Sequence, residues 1–247
     1  MKTRLSGFVT IKDDWAVQSF GFSKYLPLGK PEIIVENLSR WGADEIFINC
    51  IDRSKNFEGP NLNILKKIYK RNINTPIIYS GGIRNLSDAK RVINEGSDRI
   101  AINNTAFFQS PNYFKPISEF LGSQALILAC SFIKIKSNFF WYNYINKKIK
   151  YINLVEEYLK NNIFSELLLI DVLNEGYNSF DYKVLEKLNR TLPKILFGGV
   201  NPKNIQNKIK KFNIRSLSFG NRLNYEEIKI QKLKKKYNYI FRKNEYR

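Results

Sequence analysis

Residues 76–104 read PIIYSGGIRNLSDAKRVINEGSDRIAINN. A short apolar run, Pro76–Tyr79, meets a glycine pair, Gly81-Gly82. A helix-period segment over Ser87–Glu95 follows, with Asn85 and Asp88 placed to cap its start, and the apolar run Arg99–Asn103 closes the unit. The stretch is a strand, a tight turn, a helix and a strand. A near copy begins at Phe197-Gly198-Gly199-Val200 and ends at Phe219-Gly220-Asn221. Gly81 to Gly198 and Asn104 to Asn221 are each 117 residues apart, so the two units match without a gap, as in a duplicated half-barrel.

The same rhythm fills the chain on either side. Strand-like runs recur at Leu5–Ile11, Glu45–Ile51, Ala125–Ser131, Glu166–Asp171, Lys194–Gly198 and Ser216–Phe219. Helix-period segments separate most of them, at Glu32–Trp41, Asn61–Tyr69, Tyr113–Leu121, Leu154–Asn161, Lys183–Leu188 and Asn204–Phe212. The strands are almost continuously apolar, which suits parallel strands covered on both faces. Eight alternations in 247 residues predict a single (β/α)8 TIM barrel occupying residues 1–247. Insertions at 12–30 and 134–150 are expected on the C-terminal face, the second as a small hairpin, and a basic tail over about 232–247. The aromatics of the two insertions either cover a ligand or bury the hairpin's own underside.

Composition narrows the chemistry. There is no histidine, which removes His-based triads and His-ligated metals, so neither a metal nor a cofactor is expected. Two cysteines, Cys50 and Cys130, give no disulfide scaffold and point to a reducing, cytoplasmic setting. No apolar stretch approaches the ~18 residues of a membrane span, and the start, MKTRLSGFVT, lacks a signal-type apolar core. The formal charge of +19 favours anionic partners such as phosphorylated metabolites, nucleic acid or an anionic membrane surface, unless the lysines only form a solvated basic surface.

Two groups of residues stand out. The turns at Gly81-Gly82 and Gly198-Gly199 let backbone N–H groups converge on an anion, with Asn103 and Asn104, or Gly220 and Asn221, at the next strand end adding donors. Two such seats on one barrel mouth would suit an elongated ligand with a phosphate at each end; the alternative is a pair of tight turns. Arg4, Glu45, Arg99 and Glu166 begin strands one, two, four and six and would meet at the N-terminal face, as a ring of ion pairs with a function or as a stability plug.

Trp41-Gly-Ala-Asp-Glu-Ile46, residues 80–89 and 95–104, Leu121-Gly-Ser-Gln-Ala125 and Phe197-Gly-Gly-Val200 together resemble the cyclase subunit family of imidazole glycerol phosphate synthase. The resemblance implies a lyase-type barrel of histidine biosynthesis. Such a barrel takes ammonia from a glutaminase bound at its bottom, cleaves a phosphoribulosyl-formimino bisphosphate and closes an imidazole ring. By position, Arg4, Glu45, Arg99 and Glu166 match the family's ammonia gate, and Asp98 an acid contacting the glutaminase. Gly82 and Asn103 match one phosphate seat; Gly198, Gly199, Gly220 and Asn221 match the other, and Glu175-Gly176 an acidic loop after strand six. The family's two strand-end aspartates are replaced by Thr10 and Ser131, its acid after strand two by Cys50 and a first-loop lysine by Gln18. Thr10, Ser131 and Glu175 are thus the candidate catalytic positions, with Asp13, Asp14 and Asp52 the other acids near the mouth. A positioned carboxylate contributes ~10²–10⁴-fold in proton transfer, which a hydroxyl of ordinary pKa does not supply. Residues 15–22 and 28–31 lean toward relatives that serve surface-polysaccharide amidation, which implies ammonia delivery or scaffolding without lyase chemistry. A non-catalytic barrel binding phosphate ligands or nucleic acid is the third expectation.

Overall fold

The computed structural model describes residues 2–160, 162–226 and 228–243. Its strands are β1 (Arg4–Lys12), β2 (Trp15–Phe20), β3 (Lys24–Gly29), β4 (Glu45–Cys50), β5 (Ile77–Ser80), β6 (Arg99–Ile102), β7 (Leu126–Ile135), β8 (Asn138–Tyr142), β9 (Ile149–Tyr151), β10 (Glu166–Asp171), β11 (Lys194–Phe197) and β12 (Ile214–Phe219). Eight of them pair in parallel in the order β1-β4-β5-β6-β7-β10-β11-β12, and β12 pairs back onto β1. The sheet is closed: a (β/α)8 barrel. The helices are α1 (Pro31–Arg40), α2 (Leu62–Tyr69), α3 (Leu86–Asn94), α4 (Asn104–Phe108), α5 (Lys115–Leu121), α6 (Glu156–Lys160), α7 (Gln206–Lys211) and α8 (Lys229–Lys236).

The continuous apolar runs follow from burial on both strand faces. Leu5, Val9 and Ile11 of β1 join an outer core under the helices, while Phe8 joins an inner core inside the barrel with Phe47, Ile78, Ile127 and Phe197. Burying each such side chain contributes about 1.5–3 kcal/mol. Local signals start the helices: Pro31 sits at the first turn of α1, and Asn85 accepts from Asp88 N at the start of α3.

Several elements depart from the sequence reading. The segment expected as a helix at 183–188 is a 3-10 run, Tyr182–Lys187, because Val184 and Leu185 are its only buried side chains and one tight turn covers them. A 3-10 turn, Ile152–Val155, opens the helix expected at 154–161, and residue 161 lies outside those described. α4 has no counterpart in that reading. The 12–30 insertion is a hairpin, β2–β3, laid antiparallel on the end of β1. β7 runs past Ser131 to Ile135 because its end pairs antiparallel with β8. Of the aromatics on that second insertion, Phe139 and Trp141 are core, whereas Tyr142 and Tyr144 face the mouth. Residues 232–236 of the basic segment finish α8, where Lys234 Nζ lies 2.8 Å from Asp44 Oδ1; Phe241 pairs with Thr3, and 244–247 lie outside the described residues. Among the described residues no helix is long and apolar enough to cross a membrane.

Candidate functional site

The four charged strand starts converge. Arg4 Nη2 donates to both oxygens of Glu166 at 2.6 and 2.8 Å, and Arg4 Nε lies 3.1 Å from Glu45 Oε2. Arg99 Nη1 closes the circuit, 2.7 Å from Glu166 Oε2 and 3.9 Å from Glu45 Oε2. Charges therefore alternate around the bottom of the barrel. Burial opposes ionisation of Glu166, but Arg4 and Arg99 more than offset it and hold its carboxyl below the usual range. Ser6 Oγ, one layer up, donates to Glu45 Oε1 at 2.6 Å and shares a short hydrogen bond with Ser216 Oγ. Asp98 is exposed on this face, one oxygen accepting from Ile77 N at 2.8 Å.

The C-terminal mouth is divided. On one side a cavity of about 630 Å³ is lined by Gly81, Gly82, Asn103, Asn104 and Ser131, together with Asp13, Asp52, Lys12, Lys55, Lys147, Tyr142 and Tyr144. On the other a pocket of about 90 Å³ is lined by Glu175, Gly176, Gly198, Gly199, Gly220 and Asn221, with Ser218, Arg222, Tyr177 and Tyr225. All four turn glycines have positive φ, from 69° to 126°. A Cβ on Gly82 would stand 2.6 Å from Gly59 O, and one on Gly199 2.6 Å from Asn174 O, so both turns require glycine.

Hairpin β2–β3 forms the ridge between the two spaces. Phe22, at its tip, packs on the inner core. Glu175 turns its carboxylate to the hairpin, accepting from Ser19 Oγ at 2.9 Å and from Phe22 N at 3.2 Å. Asn221 grips the same strand: its Nδ2 donates to Ser19 O at 2.7 Å and its Oδ1 accepts from Ser19 N at 3.2 Å. The second hairpin is held similarly, Asn143 Nδ2 donating to Asn104 Oδ1 at 2.7 Å and Tyr144 OH to Ile51 O at 3.1 Å.

Of the candidate catalytic positions, Ser131 lines the large cavity and its hydroxyl meets Asn103 Nδ2 at 2.9 Å. Thr10 is buried in a narrow gap behind the hairpin, beside Glu175 and Asn221. Burial raises the pKa of Glu175, against hydrogen bonds from Ser19 and the hairpin backbone. Burial pushes Cys50 up to about 12 and raises Cys130, so both are neutral thiols near pH 7. Asp13 N donates to Asp52 Oδ2 at 2.8 Å at the cavity edge, while Asp14 is turned away to Asn61 Nδ2 at 2.5 Å.

The sequence reading missed Asp171, which ends β10 and orders the loop that carries Glu175. It accepts from Asn174 Nδ2 at 2.9 Å and Asp181 N at 2.9 Å, and burial raises its pKa. The signal was an acid closing an otherwise apolar strand. Ser216 and Ser218 were missed too, as alternate polar residues in the last strand; Arg222 follows the Gly220-Asn221 end directly.

The profile of the family described as histidine biosynthesis protein matches residues 8–228. A putative imidazole glycerol phosphate synthase subunit of Vibrio vulnificus is 28% identical over 205 residues, 81% of this chain and 75% of that protein. Imidazole glycerol phosphate synthase subunits of Natranaerobius thermophilus and Phocaeicola vulgatus are each 26% identical, over 97% and 94% of this chain and 96% and 94% of theirs. The chain belongs to the histidine biosynthesis protein family.

Proposed function

We propose that this barrel acts as a cyclase subunit of the imidazole glycerol phosphate synthase kind, holding a doubly phosphorylated ligand across its mouth and admitting ammonia from a glutaminase docked at its bottom. The observation that carries the reading is the closed ring Arg4–Glu45–Arg99–Glu166 on the same axis as two glycine-built seats. Four buried or half-buried charges gain little over an apolar plug, so a ring that spans four strands asks for a use beyond stability. Gly82, Asn103 and Asn104 would take one phosphate, and Gly176, Gly198, Gly199, Gly220 and Asn221 the other. Asp98 would meet the glutaminase.

By the resemblance, proton transfer is where this chain departs from the family's pattern. A hydroxyl stands at each strand-end position, and Thr10 is cut off from the cavity. Within reach of a ligand there, Asp52 and Asp13 are the carboxylates, with Glu175 engaged by the hairpin. This favours a second reading, ammonia delivery or scaffolding for amidation of a surface sugar, in which the barrel stimulates its glutaminase and another enzyme uses the ammonia.

One experiment separates the two. Product formed from the bisphosphate intermediate at saturating ammonia supports the first. Stimulation of the cognate glutaminase without product, lost on Asp98→Ala, supports the second. Neither outcome would leave both readings without support.

A further inference from the structure

Positive charge is not spread evenly along this chain. Residues 183–247 hold 18 of the 41 Lys and Arg but only 4 of the 22 Asp and Glu, a net +14 of the total +19. Residues 1–182 hold 23 and 18, a net +5. A chain-wide preference for lysine would load both parts alike, so the excess belongs to one region. The fold gathers that region on one flank. β12 lies between β11 and β1, with α7 before it and α8 after it, so the two helices are neighbours in the outer ring.

On α8, Ile230 and Leu233 are buried against the barrel, while Lys235 and Lys236 are exposed. α7 has no fully buried residue and exposes Lys210 and Lys211; Arg242 and Lys243, beyond α8, are exposed too. Lys229 and Lys232 share Glu226, but none of those six cations has an ion pair among the described residues. A helix C-terminus favours cations in its last turn, which accounts in part for the four lysines and not for Arg242 and Lys243. Residue type and shape indicate the partner. Thirteen of the 18 cations are lysines, point charges on flexible stems, where close recognition of single phosphates would favour the planar fork of arginine. They stand on the outer faces of neighbouring helices, which suits a broad, flat anionic surface. Tyr239, 52% exposed just past α8, adds a ring with a polar tip of the kind that settles among lipid headgroups.

We propose that the α7–α8 flank, continued through Lys243, is a docking surface for an anionic bilayer. The apolar side chains of α8 are already committed to the barrel, so the contact is electrostatic, without insertion. This surface is independent of the proposed function, which concerns the mouth and the bottom of the barrel.

Co-sedimentation of the full chain with vesicles tests it, using phosphatidylcholine alone or an equal mixture with phosphatidylglycerol. Binding is expected to the mixed vesicles only, and to fade as salt shortens the screening length from about 10 Å at 0.1 M to about 3 Å at 1 M. A lysine near such a surface strengthens binding about fivefold. Replacing Lys210, Lys211, Lys235 and Lys236 together by Gln is therefore expected to weaken it about a hundredfold or more. The control replaces Lys67, Lys70, Lys115 and Lys160, exposed lysines on other helices or at their ends, and removes the same charge. It is expected to bind nearly as the wild type does. Equal losses in the two variants would mean that net charge alone acts, and would overturn the surface. So would equal binding to both kinds of vesicle, or binding to neither. Tighter binding to duplex DNA than to the mixed vesicles at the same salt would also overturn it, and would assign the flank to nucleic acid instead.

Discussion

The two glycine turns share a sequence pattern and a backbone, yet one opens on a cavity of about 630 Å³ and the other on a pocket of about 90 Å³. The difference lies in what leans over each. Each seat's asparagine holds the hairpin of the other half of the barrel: Asn104 pairs with Asn143 beyond β8, and Asn221 with Ser19 on β2. The second seat has an added latch, Glu175, and a hairpin tip whose Phe22 enters the barrel. A duplicated scaffold thus carries an unequal mouth, and any ligand spanning both seats must cross the ridge at Phe22 and Glu175.

Substitutions can break this comparison in order of expected effect. Glu166→Ala removes one member of the ring beneath both seats and leaves Arg4 and Arg99 short of a partner. It should cost about 3–5 kcal/mol in urea denaturation and act on both seats alike; a cost within error would mean the ring is not a coupled unit. Gly82→Ala and Gly199→Ala each force a Cβ against a carbonyl oxygen at positive φ. Each should cost at least about 1–3 kcal/mol and weaken phosphate binding at its own seat only. A crossed effect would show that the seats are not independent. Asn221→Ala loses two bonds to the hairpin backbone and Asn104→Ala one to a side chain, so the first should cost about 1–3 kcal/mol and the second about half as much. Amide exchange should quicken in β2–β3 for the first and in β8–β9 for the second.

The smallest effect is a pH dependence with two signs. Glu175 has a raised pKa in the fold, so its contribution is complete below the ordinary glutamate value of 4.5 and is lost as pH rises through the folded value. Glu166 has a lowered one, so its contribution is present above 4.5 and is lost as pH falls through the folded value. Glu175→Gln should therefore flatten the loss of stability on the alkaline side of 4.5, and Glu166→Gln the loss on the acid side. Identical pH profiles for the two variants would contradict the assignment.

The barrel was legible because each of its parallel strands is buried on both faces and so spells a nearly unbroken apolar run; observed and expected strand ends differ by a few residues. The charged ring was legible because four opposite charges begin strands, and closure of the sheet alone brings Arg4 to Glu166. What the chain did not announce are contacts made by insertions. Ser19 and Phe22 look like ordinary loop residues until β2 pairs with β1, and only then do Glu175 and Asn221 become latches. Thr10 and Ser131 are equivalent positions, but the hairpin buries one and leaves the other on the cavity wall. Ser216 hid as one small residue in an apolar strand, since its hydrogen bond to Ser6 depends on β12 closing onto β1.

In the proposed function, one ligand's two phosphates occupy the two seats. Crystals grown with inorganic phosphate, then exposed to one equivalent of the bisphosphate intermediate, test it directly. Phosphate is expected at Gly82–Asn103 and at Gly199–Gly220, both displaced by a single ligand molecule that lifts Phe22 from the inner core. A ligand that binds while phosphate stays at Gly199–Gly220 would contradict it.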